Sequence, residues 1–521
     1  MSRTDFLPTL LAVLCIPAMV LAQEAGPGES TPNGGASSQS RILRSEGAAK
    51  GGVLALLPAD STTEHSLDLG PRKITYKATA GTLSLFGQDG QRSAEVFYTS
   101  YIAENGEAGR PLTFVFNGGP GAASAFLHLG LVGPRILDFG PTGRDGATAK
   151  LVDNPQSWLG FSDLVLIDPI GTGWSRSAKP DDAKNFYGVR QDAAAVAKTI
   201  ALYLAHNGRA SSPKYLLGES YGGLRAVKVA KALQQDQGII VSGLVMLSPL
   251  LEGPLQFDAK RFALGASLQL PSLAAAEMER RNAFSSKDLD AAELYARTDY
   301  LAALAGPPPV GPAAQALYDR VAQLTGLPVD IVRRTRGFVR EAFVKHLQQD
   351  KAGVVSPYDI TFTAPDPFPE SDTPRGDDPI LDGFVRAYGG AFVGYARDQL
   401  GYKTEMTYTL LADDINGKWD WSNGRSGGTR AQVSVSDDIR ELLSINPAFR
   451  IMVAHGYSDL VTPYAVNKYV VDHLPENLSG RVFFKVFRGG HMFYTAQPSR
   501  IAFSAEAGAF YNIAIESRLK D

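Results

Sequence analysis

A single cysteine, Cys15, serves the whole 521-residue chain. It falls in an apolar stretch, residues 6–21, that follows Arg3 and ends at Val20-Leu21-Ala22. Residues 1–22 therefore read as a secretory signal peptide. Leu14 before Cys15 does not suit a lipoprotein site, where a small residue precedes the cysteine. After cleavage the chain has no thiol, which excludes disulfides, thiolate nucleophiles and cysteine-bound metals. Long hydrophobic runs are otherwise absent. The N-terminal one is short for a membrane span and holds Pro8 and Pro17, so no membrane anchor is expected after cleavage. An excess of charge of either sign is also lacking: 51 Lys and Arg stand against 54 Asp and Glu, a net charge of −3. That balance gives no footprint for nucleic acid. Histidine is scarce too, with seven residues.

What is present describes a globular protein of ordinary composition, 44% hydrophobic and 20% charged, and the signal peptide leads to the expectation of a secreted or periplasmic location. Residues 23–40 are rich in Gly, Ser and Pro, and 23–71 are expected to be a flexible N-terminal segment. From residue 72 the pattern changes. Residues 74–76, 82–85 and 94–98 alternate as hairpin strands do. Continuous apolar runs at 112–116, 164–167, 215–217, 239–247, 449–453 and 481–487 fit strands buried on both faces of a mostly parallel sheet. Helical periodicity separates them, as over 189–206, which predicts an α/β fold. Residues 254–434 break the rhythm. They are expected to form a largely helical cap, without sheet, inserted between the two parts of a catalytic core at 72–253 and 435–521. Helices are expected at 288–304 and 313–323, and a Pro/Asp-rich loop at 364–369.

The chemistry gathers where apolar runs end. Gly218-Glu219-Ser220-Tyr221-Gly222 lies between such a run and a helical segment, as a strand–turn–helix nucleophile requires. Glycines are needed there because side chains would meet the neighbouring backbone. Ser220 needs a base, since a neutral hydroxyl is a weak nucleophile. His491, in a glycine loop after the last run, suits that role better than His128, His206 or His346, which lie in helical patterns; His455 is a rival. Asp459, in the turn after the run at 449–453, can hold the imidazole tautomer, with Asp168 as the structural alternative. Asn117-Gly118-Gly119-Pro120-Gly121 ends the run at 112–116, so the N–H of Gly119 can join that of Tyr221 in an oxyanion hole. The order Ser, Asp, His is that of α/β-hydrolases.

These motifs resemble the serine carboxypeptidase family, within the α/β-hydrolase superfamily. The likeness continues through Asn154-Pro155, Ser157-Trp158, Asp168-Pro169, Gly171-Thr172-Gly173-Trp174-Ser175, Pro463 and Gly490-His491-Met492. It implies an α/β-hydrolase fold with a triad of Ser220, Asp459 and His491 and an oxyanion hole of Gly119 and Tyr221. It implies a peptide substrate with a free C-terminus, whose carboxylate is grasped by Asn117 and Glu219 beside Gly118 and Met492. Neither a metal nor another cofactor is implied. A protonated Glu219 can hydrogen-bond a carboxylate whereas an ionised one repels it, so activity should favour low pH. The chain departs from the family pattern at four places. Leu131 stands where a second glutamate is usual, which bears on exopeptidase specificity and pH optimum. Ala122 replaces a cysteine, Tyr457 an aspartate, and Phe493-Tyr494 a Val-Pro pair. An esterase, an acyltransferase or a proline-directed aminopeptidase with the same triad, or a binding protein on this scaffold, would share most of these motifs.

Overall fold

The computed structural model describes residues 52–518, apart from 71, 105–108, 141–142, 349–351 and 423–427. Residues 1–51, with the expected signal peptide at 1–22, lie outside the described residues. In chain order the strands are β1 (Ser61–Asp68), β2 (Lys73–Phe86), β3 (Arg92–Ala103), β4 (Leu112–Phe116), β5 (Arg135–Asp138), β6 (Lys150–Asp153) and β7 (Asp163–Ile167). They continue with β8 (Arg176–Ser177), β9 (Lys214–Glu219), β10 (Gly243–Leu247), β11 (Gly353–Ser356), β12 (Asp359–Pro365), β13 (Arg450–Gly456) and β14 (Val482–Phe487).

Among the described residues one ten-stranded sheet runs β1-β2-β3-β7-β4-β9-β10-β13-β14, with β8 paired to β3. The pairs from β7 through β14 are parallel and those among β1, β2 and β3 antiparallel. This is the α/β-hydrolase fold, and its mostly parallel central sheet agrees with the sequence reading. Two corrections concern the first strands. Ser61–Asp68, expected within a flexible segment, is the edge strand. Its outward face carries Thr62, Glu64, Ser66 and Asp68, all exposed, and its one fully buried residue is Leu67, too faint an apolar signal to read. Residues 74–76 and 82–85 belong to one strand of 14 residues, because the small side chains of Ala78 and Ala80 carry the buried face between them.

The pleat divides the interior into two apolar layers. Val115, Leu164, Leu166, Tyr215, Leu217, Val245, Leu247, Met452 and Ala454 point to one face. Phe114, Phe116, Val165, Ile167, Leu216, Leu244, Met246, Ile451 and Val453 point to the other, under the helices Val189–His206 and Tyr221–Gln237. Each such side chain fully buried is worth about 1.5–3 kcal/mol, and both layers are continuous across the parallel strands. The stretch 254–434 contains sheet after all, the hairpin β11-β12, and Ala364-Pro365 are the end of β12 rather than loop. Asp366, just beyond, pairs with buried Lys345 at 2.5 Å, which fixes the hairpin's open end. The helix Ala387–Asp398, in the same stretch, packs into the first layer through Tyr388, Phe392, Tyr395 and Ala396. Residues 270–360 build a further apolar cluster, which Leu460 from the loop after β13 joins. No helix among the described residues is long and apolar enough to cross a membrane.

Candidate active site

Ser220 sits at the junction of β9 and the helix Tyr221–Gln237 with φ 61° and ψ −125°, a conformation that costs a non-glycine residue about 1–3 kcal/mol. The turn is held at both ends: Ser220 N–H donates to Leu247 O at 2.9 Å, and its carbonyl accepts from Leu250 and Gly223. It closes only because side chains are missing. A Cβ at Gly218 would stand 1.9 Å from Gly222 O, and one at Gly222 would stand 2.8 Å from Phe116 O. The glycine loop after β4 presses onto this turn, since a Cβ at Gly118 would lie 2.7 Å from the Tyr221 nitrogen. The Gly119 and Tyr221 N–H groups take no part in the hydrogen bonds of the described loops and turns. Tyr221 opens its helix, where the first amides have no partner within it.

The loops after β13 and β14 interlock: Tyr457 N–H donates to Phe487 O and Ser458 N–H to Gly489 O. This brings Asp459 Oδ2 to 2.9 Å from His491 Nδ1. Asp459 Oδ1 accepts from the backbone of Val461 and Thr462 at 2.8 and 2.9 Å, and Thr462 Oγ1 lies 2.7 Å from Oδ2. Burial alone would raise the Asp459 carboxyl, but the His491 charge and hydrogen bond, with the Thr462 amide, hold it below its ordinary value. His491 is buried, which would lower it, yet Asp459 and Glu219 raise it above the ordinary imidazole value. With Nδ1–H directed at Asp459, Nε2 is the basic nitrogen. Ser220 and His491 line one cavity of about 130 Å³.

Asn117, Gly118, Gly119, Glu219 and Met492 line the same cavity. Asn117 is fixed on three sides. Its Oδ1 accepts from Leu127 N–H at 3.1 Å, its carbonyl from the buried Arg225 guanidinium, and its Nδ2 donates to Glu219 Oε2. Arg225 in turn pairs with Asp192 at 2.6 Å. Glu219 Oε2 also accepts from Tyr494 Oη at 3.1 Å, whereas Glu219 Oε1 is buried without a partner. Burial is the main reason that this carboxyl rises to about 7, against the lowering pull of His491 and Tyr494. Leu131, where a second carboxyl was conceivable, is wholly buried in the first layer and does not line the cavity. Tyr494 occupies the space beside it: a Cβ at Gly130 would meet the Tyr494 ring at 2.7 Å.

The rivals stand elsewhere. Asp168 accepts from the Ser124 amide at 2.8 Å, and burial raises it to about 6. His455 is buried beside Asn467, 3.0 Å from its Nδ2, and burial lowers it to about 3. His128 is bonded to Tyr101 Oη inside the first layer. Sequence reasoning missed Thr462, which braces the carboxylate, and Tyr358, whose ring stands edge-on to His491 at 5.3 Å and whose carbonyl accepts from His491 N–H. It also missed Arg430, Asp413 and Asn416 in the cavity wall. Among the described residues no group of three or more His, Cys, Asp or Glu could hold a metal ion.

Residues 73–267 match the family model described as serine carboxypeptidase. "Serine carboxypeptidase-like 44" of Arabidopsis thaliana is 32% identical over 114 residues, 22% of this chain and 22% of that protein. "Serine carboxypeptidase-like 41" of the same plant is 28% identical over 194 residues, 35% of this chain and 38% of that protein. The chain thus matches well under half the length of these curated relatives. A solved structure of a prohormone-processing carboxypeptidase from Saccharomyces cerevisiae covers 84% of this chain and 91% of its own, with a TM-score of 0.53 and 17% identity, a likeness of fold. The chain resembles serine carboxypeptidases across the part that holds the glycine loop and the nucleophile.

Proposed function

We propose that this protein is a serine-type carboxypeptidase that releases C-terminal residues from peptides. The observation that carries the reading is the pairing of a nucleophile turn with a buried carboxyl one residue away, whose Oε1 has no partner and whose proton is held to about pH 7. A protonated Oε1 donates to a substrate carboxylate in the cavity, with Asn117 beside it. An inner amide or ester lacking that carboxylate leaves the buried group unsatisfied, at a cost of about 1–3 kcal/mol.

In this mechanism Ser220 Oγ attacks the last peptide carbonyl as its proton passes to His491 Nε2. Asp459 stabilises the imidazolium, and the N–H groups of Gly119 and Tyr221 receive the oxyanion. The C–N bond breaks as His491 returns the proton to the departing amine. Water, deprotonated by the same imidazole, then cleaves the Ser220 ester and restores the enzyme. Protonation of Glu219 serves the base as well: the Glu219 anion is one of the charges that hold a proton on His491, so neutral Glu219 favours neutral, basic His491. The N-terminal apolar stretch supports export to a secreted or periplasmic location.

Mass spectrometry of an N-terminally blocked peptide incubated with the protein tests the reading. Stepwise loss of single C-terminal residues is expected. Ser220→Ala should lower the rate by at least about 10⁴-fold. Internal cleavage, or loss that persists in the variant, would contradict it.

A further inference from the structure

The wall of the catalytic cavity holds one cation, Arg430, and it has no anion of its own. The side chain leaves a short 3-10 turn, Arg430–Gln432, whose start is fixed by a capping box between Thr429 and Gln432. Its guanidinium lies over the rings of Phe257 and Trp421, at 4.5 and 5.9 Å from their centroids. Nε is buried without a hydrogen-bond partner. Among the described residues Arg430 enters no ion pair. The acids of the adjoining segments are engaged elsewhere: Glu252 accepts from Ser434 and Ser436 at 2.6 and 2.8 Å, while Asp413, largely exposed on the rim, lies 3.7 Å from Arg386. A guanidinium removed from water loses hydration that stacking on rings recovers only in part. Burial accordingly lowers its proton affinity.

Its place in the fold sets it apart from Glu219. Met492 and Tyr494 belong to the apolar layer on one face of the sheet, the face to which Leu217, and so Glu219, points. Trp421 and Phe257 belong to the layer on the other face, and Trp421 packs edge-on to Tyr221, the residue after the nucleophile. Glu219 and Arg430 thus both line the cavity, Glu219 bonded to Tyr494 of one layer and Arg430 stacked on rings of the other. A peptide with its terminal carboxylate at Glu219 and its scissile carbonyl at Ser220 leaves its acyl portion to the remaining cavity wall, where Arg430 is the guanidinium present.

We infer that Arg430 is a specificity-determining residue that receives an acidic side chain, Asp or Glu, on the substrate residue preceding the scissile bond. The inference rests on the carboxypeptidase reading and names the substrate class for it. The planar fork offers two parallel N–H groups to a carboxylate, a contact that a point charge does not reproduce.

The test uses blocked tetrapeptides ending in Leu, with Glu, Gln, Leu or Lys as the penultimate residue, at a pH near 6, where the peptide carboxylates are ionised. Wild-type protein should favour Glu over Gln in kcat/KM by about tenfold or more, as a partly desolvated charge-assisted contact allows. Arg430→Gln should bring that ratio to about one, Arg430→Lys should retain part of it, and Arg430→Glu should turn the preference toward Lys. Because each ratio compares two substrates on one preparation, loss of folded protein cancels. A ratio of one in the wild type, or a ratio that survives Arg430→Gln, would overturn the inference while leaving the peptidase reading intact. A second series with Glu as the last residue guards the placement: an Arg430-dependent preference there and not at the penultimate position would also overturn it. If none of the peptides loses its terminal residue, the carboxypeptidase reading itself fails and the assigned ligand falls with it.

Discussion

Glu219 has two oxygens in different situations, and that asymmetry sets its chemistry. Oε2 takes hydrogen bonds from Asn117 and Tyr494, so the proton belongs on Oε1, which has no partner, in a residue that lines the cavity. Tyr494, whose ring packs against Gly130, supplies one of these bonds. Its hydroxyl supports the charged form, against the larger effect of burial. Tyr494→Phe should therefore raise the Glu219 carboxyl further. In the variant the pH at which KM for a free-acid peptide begins to climb should move upward relative to wild type, with kcat at acidic pH changed by less than KM at neutral pH. A KM profile that keeps its midpoint in the variant would show that Tyr494 is only packing.

At the scale of elements, the site depends on three turns meeting without side chains between them: the glycine loop after β4, the nucleophile turn after β9 and the histidine loop after β14. Gly118→Ala tests the first contact. A Cβ there must displace the backbone of Glu219 or Tyr221, from which it would lie 2.5 and 2.7 Å away, so the loop and the first helical amide separate. Loss of one well-placed oxyanion donor costs about 10²–10³ in rate, and a loss of that size in kcat with little change in KM is expected from steady-state kinetics. An unchanged kcat would contradict the role given to this contact.

These turns were legible because each follows a continuous apolar run and is punctuated by glycine, both local signals. Legibility ended where contacts span the insertion. Tyr358 reaches His491 from a hairpin more than a hundred residues earlier, and Arg430 reaches the cavity from a short turn with no periodic pattern. The hairpin β11-β12 escaped notice because Pro365 belongs to the Pro/Asp-rich run at 364–369 that reads as loop, yet Pro365 ends its second strand, where a missing N–H is tolerated. The same holds for β1, whose polar outer face conceals its place in the sheet.

For the whole molecule, the two apolar layers make the sheet edge a fixed platform with chemically different sides. A carboxyl, an amide, a guanidinium and the serine line one cavity at that edge. In the proposed carboxypeptidase, a neutral Glu219 selects a free C-terminal carboxylate. Because the buried carboxyl is protonated below about pH 7, binding of the free acid is present there and is lost as pH rises through that value, when two anions would face each other. The measurement is KM against pH for one peptide as its free acid and as its C-terminal amide, in wild type and Glu219→Gln. The free acid should bind more tightly than the amide at pH 5, lose that advantage with a midpoint near 7, and show no such midpoint with Glu219→Gln. Equal KM values for acid and amide at every pH, or an unchanged midpoint in the variant, would contradict the account.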